Sequence, residues 1–103
     1  MHLYSHPFFL FQVAPAELEE ILRSHPKVAD AAVIGIPHFI NGEAPKAFVV
    51  LKQGQSSDAK EIQDFVTSQV SAYKQLKGGV EFVPSIPKSA AGKILRKELR
   101  ARN

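Results

Sequence analysis

The chain has no cysteine in its 103 residues and only one methionine. Without cysteine, disulfides, thiolate nucleophiles and zinc–thiolate sites are excluded, and no redox compartment can be read. Its four histidines, His2, His6, His25 and His38, lie far apart without ligand spacing, so no structural metal is expected. No apolar run approaches the ~18 residues of a membrane-spanning helix. The short apolar stretch Pro7-Phe8-Phe9-Leu10-Phe11 has no basic region before it and no small-residue cleavage site after it, so it does not read as a secretory leader. The last residues, Arg100-Ala101-Arg102-Asn103, are not a Ser-Lys-Leu type address.

What remains is ordinary globular composition, 45% hydrophobic and 22% charged, which fits one folded domain. A chain of this length holds one modest core but hardly a deep two-walled pocket. The net charge of +3 is unevenly placed. Lys88, Lys93, Arg96, Lys97, Arg100 and Arg102 face only Glu98 between residues 88 and 102, giving +5 there and −2 elsewhere. A basic end on a mildly acidic body suits an anionic partner, with a solvated helix as the plain alternative.

Hydrophobic spacing predicts the order α-β-β-α-β-loop-α. A first helix starts at Pro15, whose fixed φ suits the first helical position. Glu17, Glu19 and Glu20 crowd its N-terminal half, where the dipole favours acids, and His25-Pro26 stops it. Val28–Pro37 reads as a strand, central and covered on both faces because its later part is almost continuously apolar. Asn41-Gly42 marks the turn of a long-looped hairpin to a second strand over Ala47–Lys52. Asp58 and Glu61 form a capping-box pattern. The helix they open carries Ile62, Phe65, Val66, Gln69, Val70 and Tyr73 at helical spacing, and Lys77-Gly78-Gly79 closes the segment. Val80–Val83 is a short strand, Pro84–Gly92 a loop, and a basic helix begins at Lys93 or Ile94. The fold class expected is α+β, a small central sheet of about three strands flanked by helices.

The loop Pro87-Lys88-Ser89-Ala90-Ala91-Gly92-Lys93-Ile94-Leu95-Arg96 carries the chemistry. Gly92 lets backbone approach a ligand closely, Lys93 supplies a compact positive charge for phosphate or carboxylate, and a helix opening there would add free N–H groups. A solvated lysine in a turn is the bland alternative. The loop is not a P-loop, because no serine or threonine follows Gly92-Lys93. Glu43 reads as turn-setting rather than as a base, His38 as a solvated loop residue, and Phe65 and Tyr73 as core. Arg96, Lys97, Arg100 and Arg102 read as solvated helix charges, with contact to an anionic ligand's phosphates as the alternative.

The same run resembles the P-K-x-x-x-G-K-I-x-R motif of the adenylate-forming superfamily: acyl-CoA synthetases, 4-coumarate–CoA ligases and firefly luciferases. Gln12-Val13-Ala14-Pro15-Ala16-Glu17-Leu18-Glu19 is similar to the Q-V-A-P-A-E-L-E block that starts the family's C-terminal domain. Val33–Pro37 with Gly42–Val50, and Ser71–Val80, resemble two further blocks in the same order. The resemblance covers Gln12 to the end and divides the chain into a non-family segment, 1–11, and a C-terminal lid domain, 12–103.

The resemblance implies an ATP-dependent, AMP-forming ligase. A carboxylate attacks ATP to give acyl-AMP, and coenzyme A thiol then displaces AMP. It implies Lys93 as the catalytic lysine, with Gln12, Gly92 and Lys93 as nucleotide-binding residues. Mg²⁺, ATP and the acyl group belong to an N-terminal adenylation domain, the implied partner, here or in trans. No nucleic acid and no membrane span is expected, and an intracellular place, cytoplasmic or peroxisomal, is implied. The family's D-R-x-K-x-x-I-K-Y-K-G-Y hinge has no counterpart in Met1–Phe11, so the chain alone is expected to be inactive. Phe8-Phe9-Leu10-Phe11-Gln12 is what a thymine-rich tract ending in CAG would encode, which suggests translated intron. A stand-alone basic module, or a competing lid, is the alternative function.

Overall fold

The computed structural model describes residues 14–38, 42–71 and 74–103. Gln12, Tyr73 and the phenylalanines of the first eleven residues lie outside them. The elements are α1 (Pro15–Arg23), β1 (Val28–His38), β2 (Gly42–Leu51), α2 (Ala59–Thr67), β3 (Gly79–Phe82) and α3 (Arg96–Arg102). Their order is the expected one, and the class is the expected α+β sheet flanked by helices.

The sheet runs β1-β2-β3, with β1 and β2 antiparallel and β2 and β3 parallel. β2 is therefore the central strand, and β1 lies at the edge. The apolar run of β1 did report burial on both faces, but that burial comes from helices, not from a second neighbouring strand. Ala31 and Val33 join Leu18, Leu22, Ala47, Val49, Ile62 and Val66 beneath α1 and α2. Ala32 and Ile34 turn the other way, onto Phe48, Ile86 and Leu99. Alternation of side chains across a strand thus serves two cores at once. β2 also starts five residues earlier than its β-rich stretch suggested, because Gly42–Pro45 pair with Gly35–His38.

Helix α1 packs Leu18 and Leu22 inward. Ser24 ends it, and His25 folds beneath: its Nδ1 accepts the Lys27 N–H at 3.0 Å, and its ring meets Phe65 edge-on at 4.6 Å. The cap at α2 is half of the predicted box. The Asp58 carboxylate accepts the Glu61 N–H at 2.8 Å, while the Glu61 carboxylate turns to the Ser57 hydroxyl at 2.5 Å and to Lys27 at 3.1 Å. Those two partners, the hydroxyl first, hold Glu61 below the usual carboxylate range. A depressed carboxyl stabilises the fold above its ordinary titration and loses that contribution as acid protonates it. Glu61→Gln is therefore expected to lower the melting temperature at neutral pH, with the gap to wild type closing as pH falls below the carboxylate range.

Helix α2 ends at Thr67, shorter than its spacing predicted. Ser68 caps it, its hydroxyl donating to the Phe65 carbonyl at 2.7 Å, and Val70 packs on the core from outside the helix. The chain then returns through Gly78, whose N–H donates to the Pro45 carbonyl at 2.8 Å. A Cβ on Gly78 would lie 2.8 Å from that same backbone oxygen and 3.0 Å from Ile36 and Lys46 side-chain carbons. Gly78→Ala is expected to destabilise the domain by about 1–3 kcal/mol, measurable as a lower urea midpoint.

Candidate functional site

Residues 87–95 form a tight hairpin rather than an open loop. Ser89 N–H donates to the Lys93 carbonyl at 2.8 Å, and Leu95 N–H to the Pro87 carbonyl at 2.9 Å. Lys88 and Ile94 pair between them as an antiparallel bridge. Gly92 N–H donates to the Ser89 carbonyl at 2.9 Å and closes the turn. Gly92 itself sits at φ 86°, the left-handed place that follows a turn in a three-residue hairpin loop. Any L-residue there is strained, so glycine is required by backbone shape. The Lys93 N–H is also bonded to the Ser89 hydroxyl at 3.1 Å.

The last helix begins at Arg96, not at Lys93 or Ile94. The expected contribution of helical N–H groups beside Lys93 is thereby corrected: Lys93 lies in the hairpin. The chain enters α3 only after Leu95 has bonded back to Pro87.

Three cations punctuate this run, and their surroundings differ. Lys88 reaches Asp30 on β1 at 2.6 Å. Arg96 lays one nitrogen against both oxygens of Glu19, each at 2.7 Å, and donates from Nε to the Val33 carbonyl at 3.2 Å. Arg96 was read as a solvated helix charge; it is instead the partner of a buried acid, since Glu19 is only 3% exposed. The reading of Glu19 as a helix-dipole acid is corrected by the same pair. Lys93 is exposed, and its amine forms no ion pair or hydrogen bond among the described residues.

The Glu19–Arg96 pair also resolves an edge problem. Val33 stands opposite Ala47, and its N–H donates to Glu19 Oε2 at 2.9 Å while its carbonyl takes Arg96. Side chains from α1 and α3 thus occupy strand-edge groups that would otherwise invite another strand.

Glu43, on β2, lays its carboxylate over Gly35 in the space a Cβ there would need. Lys46 bridges Glu81 at 2.9 Å and Asn103 at 2.5 Å, with its amine 4.9 Å from the Phe48 ring centre. Lys97, Arg100 and Arg102 are exposed on α3. Among the described residues no group of three His, Asp or Glu side chains could hold a metal ion, and no helix is long and apolar enough to cross a membrane.

The hairpin thus joins Gly92 and Lys93 as their adjacency requires, while Gln12 lies outside the described residues. Sequence reasoning missed Glu19 and Asp30 as parts of the site, and it gave Lys88 of the quoted motif no role of its own. One signal was available for Glu19: it sits one residue after Leu18 and three before Leu22, on the buried side of α1.

Residues 17–93 match the family of AMP-binding enzyme C-terminal domains. A probable 4-coumarate–CoA ligase of Dictyostelium discoideum is 53% identical over 90 residues, covering 87% of this chain and 16% of that protein. The luciferin 4-monooxygenase of Photinus pyralis is 50% identical over the same shares. Among solved structures, ATP-bound MatB from Rhodopseudomonas palustris superposes with a TM-score of 0.80 at 32% identity, over 87% of this chain and 18% of that one. An anthranilate–CoA ligase in complex with anthranoyl-AMP gives 0.77 at 41% identity, over 87% and 18%. The chain spans about a sixth of the length of the curated relatives it matches. With this motif, this topology and these relatives, the chain belongs to the AMP-binding enzyme C-terminal domain family, the part of adenylate-forming enzymes that 4-coumarate–CoA ligases and luciferases share.

Proposed function

We propose that this chain acts as the lid of an ATP-dependent, AMP-forming acid–thiol ligase of the acyl-CoA or 4-coumarate type, and that Lys93 is its contribution to carboxylate adenylation. The observation that carries the reading is the ammonium of Lys93, unpaired among the described residues, beside the turn of a braced hairpin and between two cations that are both neutralised internally. In the reaction a carboxylate oxygen attacks the α-phosphorus of ATP. The bond from that phosphorus to the pyrophosphate oxygen breaks, and acyl-AMP and pyrophosphate form. Two anions must approach, and negative charge gathers on the phosphoryl oxygens in the transition state. A positioned ammonium offsets both effects.

ATP, the acid and coenzyme A are substrates here, held by the N-terminal adenylation domain that serves as partner. Gln12, by its place in the motif, is assigned the role of a neutral hydrogen-bonder to the adenylate. Gly92 lets the backbone carry Lys93 out to the nucleotide. Among the described residues no group of three acids or histidines could hold Mg²⁺, and no step is assigned to a divalent ion held by them.

The test mixes this chain with the N-terminal domain of a relative and follows ATP–pyrophosphate exchange across a panel of carboxylic acids. Exchange that rises on adding the chain is the expected result. Equal rates with and without it would overturn the reading.

A further inference from the structure

The geometry points to Asp30 and Glu19 as positioning residues: through Lys88 and Arg96 they form a two-point clamp that fixes the Lys93 hairpin against the edge of β1. This rests on the adenylation role given to Lys93 above. The anchors flank that residue, Lys88 five positions before it and Arg96 three after. Both reach the same strand. Asp30 holds Lys88 at 2.6 Å. Glu19 holds Arg96 at 2.7 Å and is tied at 2.9 Å to the Val33 N–H. Residues 30 and 33 are three strand steps apart, about 10 Å, so the two fastenings define a line rather than a point. Two fastenings leave only rotation about the line that joins them, where a single one would leave rotation in every direction.

Each anchor is itself prepared. The β1–β2 register shifts between Val28 and Asp30, and such a bulge re-aims the side chain that follows. The other Asp30 oxygen accepts the Ala31 N–H at 2.9 Å, which sets the direction of the carboxylate. Glu19 projects from α1, and with both its oxygens on Arg96 and one also on Val33 its carboxylate has little freedom. The clamp also sorts charge, because it neutralises the neighbours of Lys93 and leaves that amine without an ion pair among the described residues. The requirement it meets is physical: a misplacement of about 1 Å in a reacting geometry costs about 10²-fold in rate, and a lysine on a four-carbon stem cannot supply that precision unless its backbone is held.

The experiment follows backbone amides of the ¹⁵N-labelled full chain by hydrogen exchange and relaxation. Asp30→Asn keeps an oxygen for the Ala31 N–H and removes the charge that binds Lys88. Arg96→Lys keeps a positive charge and loses the planar reach to Glu19 and Val33 together. In both, exchange at Ser89 and Lys93 is expected to quicken about tenfold, with order parameters falling from about 0.85 toward 0.6. Amides of Ala47 and Val49 should hold their rates. The swap Asp30→Lys with Lys88→Asp should restore the hairpin. Unchanged amides over residues 88–95, or equal acceleration through β2, would overturn the clamp. In the reconstituted exchange assay the clamp variants should lose kcat at unchanged KM for ATP. Loosened amides with an undiminished kcat would overturn the positioning role. A Lys93→Ala variant with wild-type exchange would sink the adenylation reading instead, leaving the amide measurements to judge the clamp.

Discussion

Lys93→Ala is expected to reduce ATP–pyrophosphate exchange by the reconstituted enzyme about 10²–10³-fold, the range seen when one preorganised transition-state donor is removed. The domain should remain folded. Lys93 is exposed, its side chain bonds to nothing among the described residues, and alanine keeps the backbone bonds to Ser89. Far-ultraviolet circular dichroism and the urea midpoint should therefore match wild type while the exchange rate collapses. Lys93→Arg should recover part of the rate at most, since a broad planar guanidinium does not replace a compact ammonium between two anions. A Lys93→Ala enzyme with wild-type exchange would show that the free cation has no part in the chemistry.

Glu19→Ala is expected to produce the largest loss of stability among the charged residues, about 3–5 kcal/mol. Two groups would be stranded, the Arg96 guanidinium and the Val33 N–H. The lower end of that range applies because the Arg96 side chain retains 31% exposure and can recover some solvation. For a domain whose whole stability is about 5–15 kcal/mol, that is enough to leave a visible unfolded fraction. Glu17, two residues away on the same helix, is the internal control. Its ion pair with Lys74 at 2.8 Å is half exposed at the Glu17 end, so Glu17→Ala should cost about 1 kcal/mol or less. Equal urea midpoints for the two variants would contradict the role given to Glu19.

The two expectations divide the basic run by burial. Lys88, Lys93 and Arg96 are alike in sequence as cations of one motif. In the fold Lys88 is a strut, Arg96 a tether to a buried acid, and Lys93 has no partner among the described residues. Composition alone pointed to an anionic partner for all of residues 88–102, and that inference treated as one patch what the fold separates.

Local chemistry made the rest legible. Pro15, the Asp58 cap and the alternation over Val80–Phe82 are short-range constraints, and each appears where residue type demands it; Gly92 was read as leaving room for a ligand, whereas its left-handed φ is what calls for glycine. The four motif blocks identified the family for the same reason, since they are contiguous in the chain. The pairings were not legible. Glu19 and Arg96 lie 77 residues apart, and Lys88 and Asp30 come together only because β1 passes the hairpin. Likewise β2, not the more apolar β1, became the central strand, because a helix can cover an apolar face as fully as another strand would. Helix α2 stopped at Thr67 although apolar spacing continued, because Val70 could reach the core without helical backbone. Residue order therefore decided the elements, the family and the presence of a glycine-borne lysine. Three-dimensional packing decided which cation stayed unpaired, because ion pairing depends on groups that only the folded chain brings within about 3 Å.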